Sequence, residues 1–178
     1  MIVNRRTAHS GFTLIEILVV LIIVGLLASL AVFSMGGNSQ QRELESHVRE
    51  LYLLMQTASE QAVLNNLELG LLLEDDGYQF VAFQDETGEW KPSGERLFHQ
   101  RTWPEWLSLT QFVESDAPRL TSSEDKLRPT LVFFSSGETT PFEIEFTIGN
   151  DSDLVHTLAS DGVSPLEWRQ PGSGDEEW

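Results

Sequence analysis

This 178-residue chain reads as an α+β protein. Its expected architecture is a long N-terminal α-helix, membrane-spanning in its first half, packed on an antiparallel β-sheet or β-sandwich head. Three observations predict this. An apolar run extends from Phe12 to Phe33, an amphipathic stripe follows it to Ala62, and beyond residue 66 the apolar pattern shortens to alternation between turn clusters.

The apolar run is 22 residues long. As a helix it measures roughly 33 Å at about 1.5 Å per residue, against a hydrocarbon core about 30 Å thick. Arg5 and Arg6 precede it, and residues 1–11 carry no acid. That asymmetry places the leader in the cytoplasm and the rest across the membrane. A single charge, Glu16, interrupts the run. A carboxylate near the start of a membrane-length helix is expensive in lipid, so it signals function. An uncleaved anchor needs no acid there. Neither does a secretory signal peptide cut near Ser29-Leu30-Ala31.

Gly11-Phe12-Thr13-Leu14-Ile15-Glu16 resembles the processing site of type IV pilins and type II secretion pseudopilins. The resemblance implies cleavage after Gly11 by a prepilin peptidase and N-methylation of the new terminus at Phe12. It also gives Glu16 a role, pairing with the amine of Phe12, its own or a neighbour's. A buried charge satisfied in only one axial position would set the register between packed helices.

Leu44, Val48, Leu51, Met55, Ala58 and Ala62 recur at spacings of four and three, the stripe of an amphipathic helix. Gly36-Gly37 separates the two apolar patterns, as a loop between two helices or as a flexible point in one long helix. Asn65-Asn66 is the expected stop. Strands follow at Leu69–Leu73 and Tyr78–Ala82 around an Asp75-Asp76-Gly77 turn, with a second turn at Asp85–Gly88. Residues 88–104, with Pro92, Gly94 and Pro104, are expected to form a long loop. Further strands are expected at Trp106–Val113, Leu131–Phe134, Phe142–Ile148 and Leu154–Ala159, with a loop over Ser115–Arg128. The resulting division is a leader over 1–11, an assembly helix over 12–35, its amphipathic extension over 36–66, a head over 67–169 and an acidic tail over 170–178.

The C-terminal half narrows the resemblance. Ser135-Ser136-Gly137-Glu138 followed by Pro141-Phe142 is similar to a hairpin of the H-type minor pseudopilins of type II secretion. Asp161-Gly162 resembles the C-terminal segment of that family, and Ala62–Asn66 and Leu69-Gly70-Leu71 resemble its helix end and first strand. The resemblance implies a filament subunit near the pseudopilus tip, active in exporting folded proteins across the outer membrane. Its implied partners are the major pseudopilin, other minor pseudopilins, the prepilin peptidase/methyltransferase and the inner-membrane secretion platform. The implied location is a single pass through the bacterial inner membrane with a periplasmic head. A minor pilin of a type IV pilus is the nearer rival, and a membrane-anchored periplasmic enzyme or binding module the remoter one.

Composition bears on these classes. The net charge is −17. Without residues 1–11 there are 9 basic and 28 acidic groups, a net −19. Such a charge repels nucleic acid, so no nucleic-acid partner is expected. There is no cysteine, so the head folds without disulfides, and thiolate chemistry is excluded. His9, His47, His99 and His156 lack metal-site spacing. Asp75-Asp76 and Asp151-Ser152-Asp153 read as solvated turns rather than calcium loops. No catalytic residue, metal or cofactor is expected. Trp90, Trp103 and Trp106 read either as a partner surface or as cover for the sheet.

Overall fold

The computed structural model describes residues 14–113, 127–149 and 154–172, with side chains of the N-terminal helix described over 14–27 and from 39 onward. The chain divides into two compact units, Met1–Gln40 and Gln41–Trp178. Helix α1, Leu14–Asn65, contributes to both. Gly36-Gly37 falls within its bounds rather than in a loop between two helices.

In the second unit, all six stripe residues are at most 1% exposed, as is expected of a helical face turned to a core. Leu54 joins them. The helix ends as Asn65-Asn66 suggested. Asn66 takes φ 51°, Leu67 N–H donates to the Ala62 carbonyl at 3.1 Å, and Asn66 N–H donates to the Val63 carbonyl at 3.4 Å. This is a left-handed cap that satisfies two otherwise orphaned carbonyls. Leu67 then packs against the core.

Among the described residues nine strands follow: β1 Leu69–Glu74, β2 Gly77–Gln84, β3 Glu89–Pro92, β4 Arg101–Thr102, β5 Leu107–Val113, β6 Leu131–Phe133, β7 Phe142–Ile148, β8 His156–Ser160 and β9 Glu167–Arg169. They form two antiparallel sheets. The first runs β3-β2-β1-β6, with β4 also pairing β2, and the second runs β5-β7-β8-β9. The chain leaves the first sheet for β5, returns for β6 and leaves again for β7. Alternation sends Leu69, Leu71, Leu73, Phe80, Leu131 and Phe133 from one sheet, and Ile144, Phe146 and Leu158 from the other, into a common core with the helix stripe. The far face of the first sheet carries a smaller cluster of Val81, Trp90 and Val132.

Residues 88–104 depart from the expected loop. They hold β3, a 3₁₀ turn at Arg96–Phe98, and β4. Pro92 is tolerated because β3 is an edge strand, paired among the described residues only with β2. Arg101 fastens this segment to α1. Its Nε donates to the Glu50 carboxylate at 2.8 Å, and its Nη1 donates to the carbonyls of Leu97 and His99 at 3.1 and 3.0 Å. Gly77 lets β4 approach, since a Cβ there would lie 2.1 Å from the Arg101 carbonyl oxygen. β5 starts at Leu107 rather than Trp106, β6 ends at Phe133, and β8 spans His156–Ser160 instead of Leu154–Ala159.

Candidate functional site

The sequence singled out an apolar helix bearing one acid. Glu16 lies in the first turn of α1, exposed. A carboxylate there also complements the positive end of the helix dipole. Gly11 and Phe12 lie outside the described residues. From Leu14 to Leu27 every large apolar side chain is exposed, 84% at Leu14 and 47% at the least exposed, Val19. Water contact at about 25 cal/mol per Å² of apolar surface makes such a face unstable alone. A contiguous apolar surface of this kind marks a membrane or a packing partner. Leu14–Leu27 spans about 21 Å at about 1.5 Å per residue, and among the described residues no helix is long and apolar enough to cross a membrane.

The hairpin Ser135–Pro141 and the Asp161-Gly162 pair meet in space and join the two sheets. Phe134 N–H donates to the Glu138 carbonyl at 2.9 Å, and Gly137 turns the chain at φ +93°. Thr140 N–H donates to the Val132 carbonyl at 2.9 Å, while Val132 N–H donates to Thr140 Oγ1 at 3.0 Å, which ties the hairpin to β6. Thr139 N–H donates to the Gly162 carbonyl at 2.8 Å, reaching the end of β8. The Asp161 carboxylate accepts from the N–H groups of Ser164 and Val163 at 2.7 and 2.9 Å and from the Ser164 hydroxyl at 2.8 Å. The Ser164 and Val163 amides hold its carboxyl below the usual carboxylate range. These contacts are a structural joint: its polar groups are spent on backbone or on neighbouring carboxylates, and among the described residues no nucleophile of the joint faces a histidine base.

Gly162 is the tightest point of the joint. Its φ is +93°, and a Cβ would sit 2.8 Å from the Thr139 carbonyl oxygen. Gly162→Ala should destabilise the head by roughly 2–3 kcal/mol, the cost of a strained backbone position plus the displaced contact. Urea unfolding of the detergent-solubilised chain checks this through a lowered midpoint at unchanged slope.

Other singled-out residues have structural surroundings. His47 stacks edge-on against Trp103 at 6.3 Å, and the His99 ring bonds the Arg96 carbonyl at 2.9 Å. His156 is buried at 8% exposure beside Trp168. Trp90 and Trp103 are buried, with indole N–H groups that find no acceptor among the described residues, and Trp106 packs against the core. The tryptophans therefore cover the sheets and do not form an exposed platform. Asp151-Ser152-Asp153 and the tail beyond residue 172 lie outside the described residues. Sequence reading missed the Arg101 clasp and the packing of Trp168 on α1. Only the brief alternation of Leu166 and Trp168 with Glu167 and Arg169 hinted at the latter.

The prokaryotic N-terminal methylation motif matches residues 6–32, which contain Gly11, Phe12 and Glu16. The family of type II transport protein GspH matches residues 47–162, the last part of helix α1 and almost all the head. The chain belongs to the GspH family, the minor pseudopilins of type II secretion. It is 36% identical to type II secretion system protein H of Pseudomonas aeruginosa over 162 residues, covering 87% of this chain and 92% of that protein. It is 31% identical to the protein H of Aeromonas hydrophila over 183 residues, covering 97% and 100%. The fold matches the minor pseudopilin EpsH of the Vibrio cholerae type 2 secretion system, with TM-score 0.62 and 20% identity over 73% of this chain and 98% of that one. The role is structural rather than enzymatic. Membership sets aside the type IV minor pilin and the anchored enzyme. The methylation motif is that of subunits anchored in the inner membrane and processed as prepilins, and the family implies partners within the pseudopilus.

Proposed function

We propose that this minor pseudopilin is cut after Gly11 and N-methylated at Phe12, crosses the inner membrane once with its N-terminus cytoplasmic and its head periplasmic, and enters the pseudopilus near the tip. There it sits beneath other minor pseudopilins and above the major one, assembled by the inner-membrane platform and helping to export folded proteins. Glu16 selects the axial register by pairing with a Phe12 amine. The carrying observation is one carboxylate in the first turn of an exposed apolar helix, within the residues that match the methylation motif.

Intact mass of the protein from its native membrane, with and without the prepilin peptidase, tests the processing. Loss of residues 1–11 plus one methyl, dependent on the peptidase, is the expected result. An uncleaved mass in both strains, or a cut after Ala31, refutes it. Gly11→Val should leave only full-length precursor, because a branched side chain crowds the backbone at the scissile bond, where glycine leaves it open. Normal maturation of that variant would count equally against the site.

A further inference from the structure

The last strand among the described residues reaches the helix through one side chain, Trp168, and is tied to β7 at its surface by Arg169 Nη1, which donates to the Glu143 carboxylate at 3.4 Å. β9 is a three-residue edge strand paired with β8 through Thr157–Arg169, Leu158–Trp168 and Ala159–Glu167. Alternation turns Glu167 and Arg169 outward and Trp168 inward, onto α1. The indole is held from three sides. Tyr52 packs against it at 5.8 Å, the Arg49 guanidinium lies over its ring at 5.6 Å, and its Nε1–H donates to His156 Nδ1 at 3.3 Å. The Tyr52 hydroxyl also donates to the Leu166 carbonyl at 3.4 Å.

An indole N–H only donates, so His156 must accept at Nδ1 and carry its proton on Nε2. A second proton on Nδ1 would set two donors against each other and put a second cation beside the indole that already carries the Arg49 guanidinium. We propose that β9 is an acid-released strap, held shut by the Trp168–His156 hydrogen bond and freed when His156 is protonated at Nδ1. Release leaves the outer edge of β8 without its partner strand.

The surroundings of His156 favour the neutral ring. From α1, Glu45 acts on it, but Glu45 is engaged at 2.6 Å by Arg49, the residue whose guanidinium lies over Trp168. From β7 its register partner is Phe146, and Glu145 points to the other face, as do Glu167 and Arg169 of β9. Burial pushes the imidazole below its usual range, and the Glu45 carboxylate acts in the opposite direction. A lowered value in the closed state means that closure is fully favoured above the ordinary histidine pKa of about 6.5. Closure weakens as pH falls through that value towards the lowered one.

Hydrogen exchange of the full chain in detergent, corrected for the chemical rate, tests the strap between about pH 7.5 and about pH 5.5. Residues 156–160 and 167–169 should exchange about threefold faster or more at the lower pH, with residues 69–84 unchanged. His156→Gln keeps a neutral acceptor that takes no proton, and should exchange alike at both pH values. Trp168→Phe should exchange faster at the higher pH and show no further change on acidification. The strap is overturned by constant exchange in the natural chain. It is equally overturned by acceleration that survives His156→Gln or Trp168→Phe, or that residues 69–84 share.

Discussion

A Glu16→Ala chain should insert in the membrane and lose its leader normally, yet enter the pseudopilus at least about tenfold less, a difference of about 1.4 kcal/mol or more. Insertion is not expected to suffer, since an acid disfavours it, by about 2.5–3.5 kcal/mol at the centre of a spanning helix and by less near its start, where Glu16 lies. On the proposed pairing, what is lost is a partner for the ammonium at Phe12. Two opposite charges about 4 Å apart attract by about 4 kcal/mol at an effective dielectric of 20. An unpaired charge in hydrocarbon costs several kcal/mol. A subunit offering no carboxylate therefore has no preferred height against its neighbour, and the apolar surfaces from Leu14 to Leu27 slide without penalty. Glu16→Gln should fail in the same way, because it keeps the shape and loses the charge. The measure is the fraction of each variant recovered in sheared pseudopili relative to the membrane pool. Incorporation at the natural level by both variants would remove the register role while leaving processing untouched.

Legibility in the sequence followed the range of the interactions that decide each element. The stripe Leu44–Ala62 needs only neighbours three and four residues away, and all six of its members are in the core. Phe142–Ile148 alternates apolar side chains with Glu143, Glu145 and Thr147, and the strand has those bounds. Residues 88–104 defeated the same reading. β3 and β4 are only four and two residues long. Pro92 and Gly94 hide them, and their existence depends on β2 and on Arg101 reaching Glu50, 51 residues away. The tryptophans were ambiguous for a related reason: composition says that an indole seeks cover, and only the folded sheets say whose cover it is. The Ser135–Pro141 hairpin and Asp161-Gly162 were legible as motifs but not as a joint, because the Thr139–Gly162 bond links two sheets. His156 gave no sign of its indole partner for the same reason.

Phe146→Ala should be the most damaging single change in the head, costing about 3–5 kcal/mol. Phe146 is fully buried at mid-strand in β7, registered between Leu109 of β5 and His156 of β8. Its ring meets Trp103 at 5.8 Å and 66°. Trp103 is itself pinned to the β1–β2 turn of the first sheet by its backbone N–H, which donates to the Asp76 carbonyl at 2.8 Å. The side chain thus fills space bounded by one sheet and by a residue anchored to the other, and neither can close over the void without breaking its ladder. Against a typical total stability of about 5–15 kcal/mol, such a loss approaches unfolding. Phe112, on the outer face of β5 and 60% exposed, supplies the contrast, with Phe112→Ala expected to stay within about 0.5 kcal/mol. Urea midpoints by tryptophan fluorescence separate the two, and a Phe146→Ala cost below about 1 kcal/mol would mean that the sheets close the void. The comparison with Glu16→Ala then becomes diagnostic. Phe146→Ala should be processed at Gly11 yet present an unstable head, whereas Glu16→Ala should keep a stable head and lose its place in the filament. Failure of secretion with both defects in one variant would mean that head folding and helix register are coupled rather than independent.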